Sequence, residues 1–464
     1  MTKRTRTGLF LLSVLAFLVF APSLVLYSQG YRLDLRNKKL TKTGGLYLKV
    51  LPKNSEIYLD GQFKKKGDFL FGSALIDNLL PRDYLVEVKK EGYVPWQKRL
   101  MVNPAGVTEA KNVILFPGKI SLQDSFQTLT TAVNGSQFWV SPSERKIVLE
   151  KADNQGWYLT LFDLPSRVEE ILLKERSLAK KGGVSLLGLS WSADSQKIVL
   201  QTALNEQEKH FLLDLQQKPF AMTSLDYLGT VDKLDFAKSD ANKFFLLQDG
   251  QLSAGDFTAK TTQPLAENVL AFAPGSNQVF FLNQDGFLNS SDGTTIQKIS
   301  QQPLAVKPET SYELTSAGSR VFLKEGEKLW WLNSEKNFAE IASAVQDFAL
   351  SPDKTKLCFL NSSEIWVLFL EDLLGQPARK AGGKIMLTRF SERIKNAFWL
   401  TDDYLVFQTG DAIKATEIDD RDQLNLTDLA QTPDSVFFLS RLNKKTQLLI
   451  LGASQLKISG ELLP

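Results

Sequence analysis

We predict a mainly all-β protein with an N-terminal transmembrane helix, a small β-sandwich and then a β-propeller of eight blades, with seven blades as the alternative. Three observations in the 464-residue sequence support this fold class. An uncharged apolar run extends from Gly8 to Tyr27, and strand-like runs separated by turn residues follow from Gly45 to Pro117. From Phe138 onward one strand–turn–strand pattern recurs eight times, which is typical of propeller blades.

The composition argues against several classes of protein. Hydrophobic residues make up 43% of the chain, as in globular proteins, and a net charge of +3 provides no basic domain for nucleic acid. The single cysteine, Cys358, excludes an intramolecular disulfide, and the single histidine, His210, leaves too few ligands for a zinc site. We therefore expect no metal, no cofactor and no nucleic-acid partner.

Residues 8–27 predict a transmembrane anchor. As a helix this uncharged run is about 30 Å long, the thickness of the hydrocarbon layer of a bilayer. A secretory signal peptide has a shorter apolar region, and Leu26 and Ser28 form a poor cleavage pair, so we favour an uncleaved anchor over a cleaved signal. A buried soluble helix is disfavoured because no polar face interrupts the run.

Residues 1–7 set the predicted orientation. Lys3, Arg4 and Arg6 precede the span, and basic residues at that position keep a terminus in the cytoplasm. We therefore expect a single-pass protein of the cell membrane, with everything after the anchor on the extracytoplasmic side.

Residues 28–44 alternate apolar and charged residues around Arg36–Lys39, which indicates a short hairpin or an extended tether. Residues 45–117 then contain five strand-like runs bounded by Gly, Pro, Asn or Asp turns. A compact all-β unit is the interpretation of this second segment.

This unit resembles the PEGA domain, a small β-sandwich of extracytoplasmic bacterial proteins. The resemblance is carried by the turn and strand positions Gly45, Pro52, Ile57, Leu59, Asp60, Gly61, Leu79, Pro81, Tyr84, Gly92, Tyr93 and Trp96. The chain departs from the family in two places: the Pro-Glu-Gly-Ala turn stands as Pro52–Ser55, and Asp83 replaces the corner glycine. Asn and Asp tolerate the same turn conformations. The resemblance implies a surface-associated module without catalysis.

Residues 118–464 predict the propeller. Each copy of the pattern has an apolar strand, a corner such as Ser351-Pro352-Asp353, a second strand, a hairpin and a third strand. Because blades pack face to face, their strands can be apolar on both sides, which accounts for runs such as KFFLLQ and QVFFLN. The segment GKISLQDSF from Gly118 precedes the first copy, and we expect it to add the outer strand of the last blade.

The corner pattern is similar to the extracytoplasmic propeller repeats of TolB-like, WD40-like and dipeptidyl-peptidase-like proteins. That likeness raises a serine hydrolase as a rival function. The required G-x-S-x-G string is absent, since Gly188–Ser192 lacks the closing glycine. We interpret His210 as a lone surface histidine and Cys358 as a buried apolar residue, neither of them catalytic.

Carboxylates are the remaining candidates for chemistry. Asp285 and Asp292 lie in Asp-Gly turns whose spacing does not match a calcium loop. A glycosidase would need two converging carboxylates, and these could come from different blades. The basic run Lys64–Lys66 is interpreted as a solvated turn rather than a site for an anionic polymer.

The tryptophans of the repeats are predicted to pack between blades. Trp330 and Trp331 are adjacent in one strand, so their rings must point to opposite faces. One of them is therefore a candidate contact residue at the surface.

The sequence thus predicts a non-catalytic, membrane-anchored scaffold that binds a protein or a cell-envelope polymer through its propeller. A propeller-type carbohydrate-active hydrolase or lyase, with carboxylates in the central channel, is the alternative.

Overall fold

The computed structural model describes residues 3–35, 38–124, 138–179, 183–205, 207–433, 435–442, 445–452 and 455–463. Several predicted features lie partly outside these residues. They are the first two residues of the cytoplasmic segment, Arg36 and Asn37 of the tether turn, the last two residues of GKISLQDSF, and the end of the hairpin that begins at Gly452.

A single long helix, α1 (Lys3–Ser28), opens the described chain. Its segment Thr5–Ser28 is long and apolar enough to cross a membrane, with a mean hydropathy of 2.7, and none of its most apolar stretch is buried against the protein. A signal sequence at this position would have the same properties.

The residues after α1 form a hairpin. Strands β1 (Tyr31–Asp34) and β2 (Lys39–Lys42) pair antiparallel. The two ends of the hairpin are fastened together, since the Thr43 N–H donates to the Gly30 carbonyl at 2.8 Å and the Thr43 hydroxyl donates to it at 2.9 Å. The end of the helix therefore lies directly against the start of the next strand.

Seven strands then build a sandwich of two sheets. Their bounds are β3 (Gly44–Leu51), β4 (Glu56–Leu59), β5 (Gln62–Lys66), β6 (Ser73–Leu79), β7 (Asp83–Lys89), β8 (Trp96–Met101) and β9 (Val107–Ile114). One sheet has the order β6-β3-β9 and the other β5-β4-β7-β8. Leu48, Ile57 and Val86 are among the fully buried residues of the shared core. The turn Pro52–Ser55 is present, and Asn54 adopts a left-handed conformation in it, with φ 60°.

Eight four-stranded sheets in the described residues form the propeller, so the prediction of eight blades is confirmed and seven is excluded. Blades 1 to 4 are β11 (Phe138–Val140), β12 (Lys146–Asp153), β13 (Gly156–Asp163), β14 (Val168–Lys174); β15 (Val184–Trp191), β16 (Lys197–Leu204), β17 (Gln207–Asp214), β18 (Ala221–Ser224); β19 (Lys233–Ala237), β20 (Asp240–Gln248), β21 (Gln251–Asp256), β22 (Thr261–Ala266); and β23 (Val269–Pro274), β24 (Val279–Asn283), β25 (Leu288–Ser291), β26 (Ile296–Lys298).

The second half of the ring has the same plan. Blades 5 to 8 are β27 (Tyr312–Ala317), β28 (Arg320–Glu325), β29 (Lys328–Leu332), β30 (Phe338–Ala342); β31 (Asp347–Leu350), β32 (Lys356–Leu360), β33 (Glu364–Phe369), β34 (Lys384–Arg389); β35 (Ile394–Thr401), β36 (Tyr404–Thr409), β37 (Ala412–Glu417), β38 (Leu426–Gln431); and β39 (Val436–Ser440), β40 (Gln447–Leu451), β41 (Leu456–Ser459) with β10 (Leu122–Asp124). The short 3-10 helices Glu175–Ser177 and Asp226–Leu228 lie in connecting segments.

The ring closes as the sequence predicts. Strand β10, which precedes blade 1, pairs antiparallel with β41 of blade 8, so that Leu122 lies opposite Ser459. Blade 8 thereby obtains its fourth strand from the other end of the propeller, and its outer edge is covered.

In blades 1, 2 and 6 the corner is a tight turn held by a serine. In blade 6 the Lys356 N–H donates to the Ser351 hydroxyl oxygen at 3.0 Å, and Lys354 has a φ of 61°. Ser192 and Ser195 occupy the equivalent positions in blade 2. The end of the propeller that carries these corners, together with the loops between third and fourth strands, is called the corner face below.

Candidate functional site at the junction of sandwich and propeller

The sandwich is joined to the corner face through an internal lysine. In β8 the side chains alternate between buried and exposed, and Lys98 lies on the buried side between Trp96 and Leu100. Its side chain is fully buried, and its ammonium is 2.8 Å from Glu417 at the end of β37 in blade 7. The same ammonium donates to the Asp419 carbonyl. Strand β8 thus places a cation inside the propeller loop 417–425.

Glu417 is the centre of this junction. Its carboxylate is also almost fully buried, and it accepts hydrogen bonds from the Trp96 indole N–H at 2.9 Å and from the Asn425 amide at 2.7 Å. Asn425 in turn donates to the Gln97 carbonyl at 3.0 Å. A buried ion pair is stable only when its remaining hydrogen-bonding groups are satisfied, and Glu417 meets that condition.

An apolar contact lies beside the ion pair. Ile114 and Phe116, at the end of the sandwich, belong to the same buried cluster as Leu462 and residues of blades 7 and 8. The Ile114 N–H donates to the Tyr404 hydroxyl oxygen at 3.1 Å, and the Phe116 and Tyr404 rings meet edge to face at 5.8 Å. Burial raises the pKa of Tyr404 well above its usual range. The last strand of the sandwich therefore continues directly into the propeller core.

The long loop of blade 6 completes the junction. Gln376 accepts from the Glu109 N–H at 2.9 Å and donates to the Val107 carbonyl at 3.0 Å, so its amide covers the outer edge of β9. Leu374, two residues earlier, is 91% exposed. This loop therefore touches the sandwich at one point and projects an apolar side chain into solvent beside it.

A cavity of about 300 Å³ lies between these elements. Its apolar lining includes Trp96, Val113, Phe369, Leu373, Pro377 and Tyr404, and its charged lining includes Lys111, Lys356, Asp372, Arg379, Asp403, Asp419 and Arg421. A concave site lined by apolar side chains and converging polar groups is a usual form of a binding site, and this cleft is richer in charge than most. We call this cavity the junction cleft.

Two carboxylates of the junction cleft have opposite pKa shifts. Burial raises the pKa of Asp403, which faces the Lys356 ammonium at 4.0 Å and lies near other carboxylates. Burial acts in the same direction on Asp419, but the Arg421 guanidinium, which donates to both carboxylate oxygens, and the nearby Lys98 lower its pKa. The cleft therefore presents one carboxyl group that is more readily protonated than usual and one that is less readily protonated.

The junction cleft is a site that sequence reasoning missed. Lys98 lies in the run QKRLM, where two adjacent basic residues give no sign that one of them is buried, and its partner Glu417 is in another structural unit. The only signal in the sequence was the loop LLGQPARKAGG, which is longer than the corresponding loops of the other copies.

The candidate contact residues Trp330 and Trp331 lie elsewhere, in β29 of blade 5. Both rings are half-buried. Trp330 packs with the cluster shared by blades 4 and 5, and its indole N–H donates to Glu325 at 3.1 Å, while Trp331 packs with the cluster shared by blades 5 and 6. The rings thus point to opposite faces of the blade, and their role in binding stays a prediction.

The structure corrects the interpretation of His210 and supports that of Cys358. His210 is only 7% exposed in β17, so its placement at the surface was wrong, and burial lowers its pKa. Its position in a four-stranded blade, rather than in the preceding turn, accounts for the difference. Cys358 is buried in β32, and burial raises the pKa of its thiol. In the described parts of the chain, no three His, Cys, Asp or Glu side chains are grouped as metal ligands.

The central channel opens on the corner face as a cavity of about 560 Å³. First strands of successive blades line it, and its lining includes Pro142, Trp191, Phe236, Pro274 and Leu314. The carboxylate of its lining, Asp235, is 3.2 Å from Lys233. The converging pair of carboxylates that a glycosidase requires is not found in this lining as the structure describes it.

Comparisons with known proteins concern the propeller. The chain is similar to the C-terminal WD40 domain of Sif2, with 11% identity, coverage of 75% of this chain and 99% of that chain, and a TM-score of 0.49. It is similar to Saccharomyces cerevisiae Sqt1, with 13% identity, 69% and 94% coverage and a TM-score of 0.46. A prolyl endopeptidase shares 12% identity over 72% of this chain and 54% of its own, with a TM-score of 0.41. No protein-family profile and no curated protein sequence matches the chain.

Proposed function

We propose that the protein is a membrane-anchored scaffold whose propeller binds another protein on the extracytoplasmic side. Residues 8–27 would be the anchor, residues 28–44 the hairpin, residues 45–117 a PEGA-like spacer of a bacterial cell envelope, and residues 118–464 the binding platform. The observation that carries this proposal is the buried Lys98–Glu417 pair, which fixes the propeller on the sandwich. Because the Thr43 N–H donates to the carbonyl of Gly30, which lies just after α1, the anchor would hold the platform close to the membrane.

The junction cleft is the proposed binding site. Its lining combines apolar side chains with charges of both signs, which suits an extended peptide segment with alternating apolar and charged side chains. Leu374 stands exposed beside this cleft, where an apolar contact residue would be expected. A cell-envelope polymer is the other class of partner that the sequence suggested, and the experiment distinguishes the two.

Site-specific photocrosslinking tests the proposal. A photoreactive amino acid replaces Leu374 in the full chain, and another replaces Ile296, which is exposed on the outer strand of blade 4, as the matched control. In native membranes we expect a protein adduct from position 374 that position 296 does not give. Equal adducts from both positions, or adducts that glycan-degrading enzymes remove, would contradict a protein partner at the cleft.

Release of the full chain from membranes by alkaline carbonate would contradict the anchor.

A hydrolase that acts on a carbohydrate is the second candidate function, and one observation favours it. Asp403 and Asp419 line the same cleft with opposite pKa shifts, as the acid and base of a hydrolytic pair do. If this function holds, Asp403→Asn abolishes release of reducing sugar from cell-envelope glycans while their binding persists. Unchanged release from the Asp403→Asn variant would exclude the pair.

A further inference from the structure

One edge of the sandwich has no partner in the described structure. Sheet order places β8 and β9 at the edge that meets the propeller, and β5 and β6 at the opposite edge. The Lys65 ammonium is 3.4 Å from the Leu75 carbonyl, so β5 and β6 lie next to each other there. We call this side of the sandwich, with the loop between the two strands, the free edge.

The free edge carries an unusual concentration of exposed apolar side chains. Five of them are between 48% and 69% exposed: Phe63, Phe69, Leu70, Phe71 and Leu75. Contiguous exposed apolar surface in a soluble domain indicates an interaction site, whereas single exposed residues need no explanation. Phe63 is on β5, Leu75 is on β6 and the other three form the tip of the loop.

The loop is built to hold these side chains outward. The Asp68 carboxylate accepts from the N–H groups of Leu70 at 2.9 Å, Phe71 at 2.7 Å and Ser73 at 2.7 Å. Gly72 has a φ of 69°, and a Cβ at that position would lie 2.1 Å from the Val50 carbonyl oxygen, so the chain needs glycine there. The apolar tip is therefore an ordered part of the sandwich.

Basic residues accompany the apolar tip. Lys64, Lys65 and Lys66 are all exposed on β5. Lys66 is 3.1 Å from Glu56, while Lys64 and Lys65 form no ion pair with any residue that the structure describes. Aromatic and aliphatic side chains next to lysines are the composition of surfaces that insert into the headgroup region of an anionic bilayer.

The connection to α1 brings this edge within reach of a bilayer. The guanidinium of Arg32 stacks on the Tyr27 ring at 3.5 Å, and it also donates to Asn78 at the end of β6, at 2.9 Å. The end of the helix is thus attached to one end of the strand that leads to the apolar tip. In the adjoining hairpin, Leu33 and Leu40 lie opposite each other and are both exposed.

We propose that the free edge rests on the bilayer surface, with its apolar tip among the acyl chains and Lys64 and Lys65 at anionic headgroups. The inference rests on the proposed membrane anchor, and it adds a second contact that fixes the tilt of the sandwich. For this contact β6 lies close to the membrane plane, so that Asn78 stays at the depth of the headgroups while Leu70 reaches the acyl chains.

The test uses the full chain in phosphatidylcholine–phosphatidylglycerol vesicles. A cysteine replaces Leu70, and an environment-sensitive fluorophore is attached to it; native Cys358 is buried and does not compete for the label. Ile296→Cys on blade 4 is the matched control. We expect emission from position 70 to shift to the blue and to be quenched by lipid-borne nitroxides, with no change at position 296. Lys64→Gln with Lys65→Gln should weaken that quenching in anionic vesicles.

Three results would overturn the inference. One is equal emission and quenching at positions 70 and 296. Another is a blue shift at position 70 without lipid quenching, which would indicate a second copy of the chain on the free edge. The third is unchanged quenching in the double lysine variant. Carbonate extraction of the same vesicles tests the anchor separately. If the chain is retained but the fluorophore at position 70 is not quenched, the proposed anchor stands and only the free-edge contact is contradicted.

Discussion

Lys98 and Lys356 are buried cations in this protein. Lys98 is fully buried and pairs with Glu417, and Lys356 is 4% exposed and pairs with Asp353 at 3.1 Å. Lysine is almost never fully buried without a partner, because the desolvated charge is costly. Both lysines lie on the corner face, where blade 7 meets the sandwich or blade 6. The residue type alone therefore does not show that these two lysines are buried. Their acidic partners in the folded protein account for it.

His210 gives a prediction at the scale of one residue. Burial lowers its pKa below the usual value of 6.5, with Glu208 acting weakly in the opposite direction. Since the unfolded chain binds a proton near pH 6.5 and the folded chain does not, this contribution to stability is complete above pH 6.5. It is lost as the pH falls from there toward the folded-state pKa. Because His210 is the only histidine, one imidazole resonance in a proton NMR titration reports its pKa directly. A pKa at or above 6.5 would contradict the prediction.

The sequence predicted individual turn residues well and buried polar residues poorly. Ser351 and Pro352 were recognisable because a corner is a local structure, in which a serine hydroxyl and a residue with positive φ lie within six positions. His210 was misplaced because its neighbours in NEQEKH are all polar, and nothing local shows that the folded propeller buries it.

At the scale of elements, β8 and β9 determine how the two β units are joined. Both are edge strands, which in isolation would expose unpaired backbone groups. Here β8 is covered by the loop of blade 7 through Asn425 and Asp422, and β9 by Gln376 of blade 6. Side chains from the propeller thus form hydrogen bonds with backbone groups of both edge strands, although no propeller strand pairs with them. These bonds hold the sandwich in its docking position.

Removal of the buried charge tests this junction. Lys98→Met leaves the Glu417 carboxylate without its cation, and we expect a loss of about 3–5 kcal/mol in the free energy of unfolding. Lys98→Met combined with Glu417→Gln should recover part of that loss, since the neutral glutamine removes the unpaired charge and its single amide oxygen can still accept from Asn425. The matched control is Lys111→Met, which breaks an exposed pair with Glu109 and should cost less than about 1 kcal/mol. Urea unfolding of the four proteins checks this. Equal losses for Lys98→Met and Lys111→Met would mean that the ion pair is not important to the junction.

The arrangement of elements was only partly predictable from the sequence. The blades could be counted because each is a set of consecutive antiparallel strands with local turn signals. The docking of the sandwich could not be foreseen, because Lys98 and Glu417 are distant in sequence and each looks like a surface residue of a polar strand.

At the scale of the whole molecule, the propeller is a closed ring whose first and last strands share a sheet. Apolar clusters join neighbouring blades around it, and one of them links Ile147 and Phe162 of blade 1 with Leu449 and Ile458 of blade 8. The sandwich packs against the same ring, since Ile114 and Phe116 belong with Leu122 to the cluster of blades 7 and 8. Closure of the ring and docking of the sandwich therefore depend on one region.

Disruption of the closing strand should affect both ends of the propeller. Leu122→Asp places a charge in the cluster of blades 7 and 8, and we expect a lower melting temperature. Hydrogen exchange should accelerate together in β10 and in β41, because each strand is the hydrogen-bonding partner of the other. Gln123→Asp, an exposed position on the same strand, should change neither quantity. Faster exchange in β10 alone would show that blade 8 is stable with three strands.

The pairing of Leu122 with Ser459 also sets the order of events during biosynthesis. A ribosome releases β10 long before it has made β41, so during that interval seven blades can form while the ring stays open. If the chain is exported as proposed, nearly the whole propeller crosses the membrane before its two ends can meet. Export machinery and chaperones would therefore handle an open, aggregation-prone arc of blades until β41 emerges and pairs with β10.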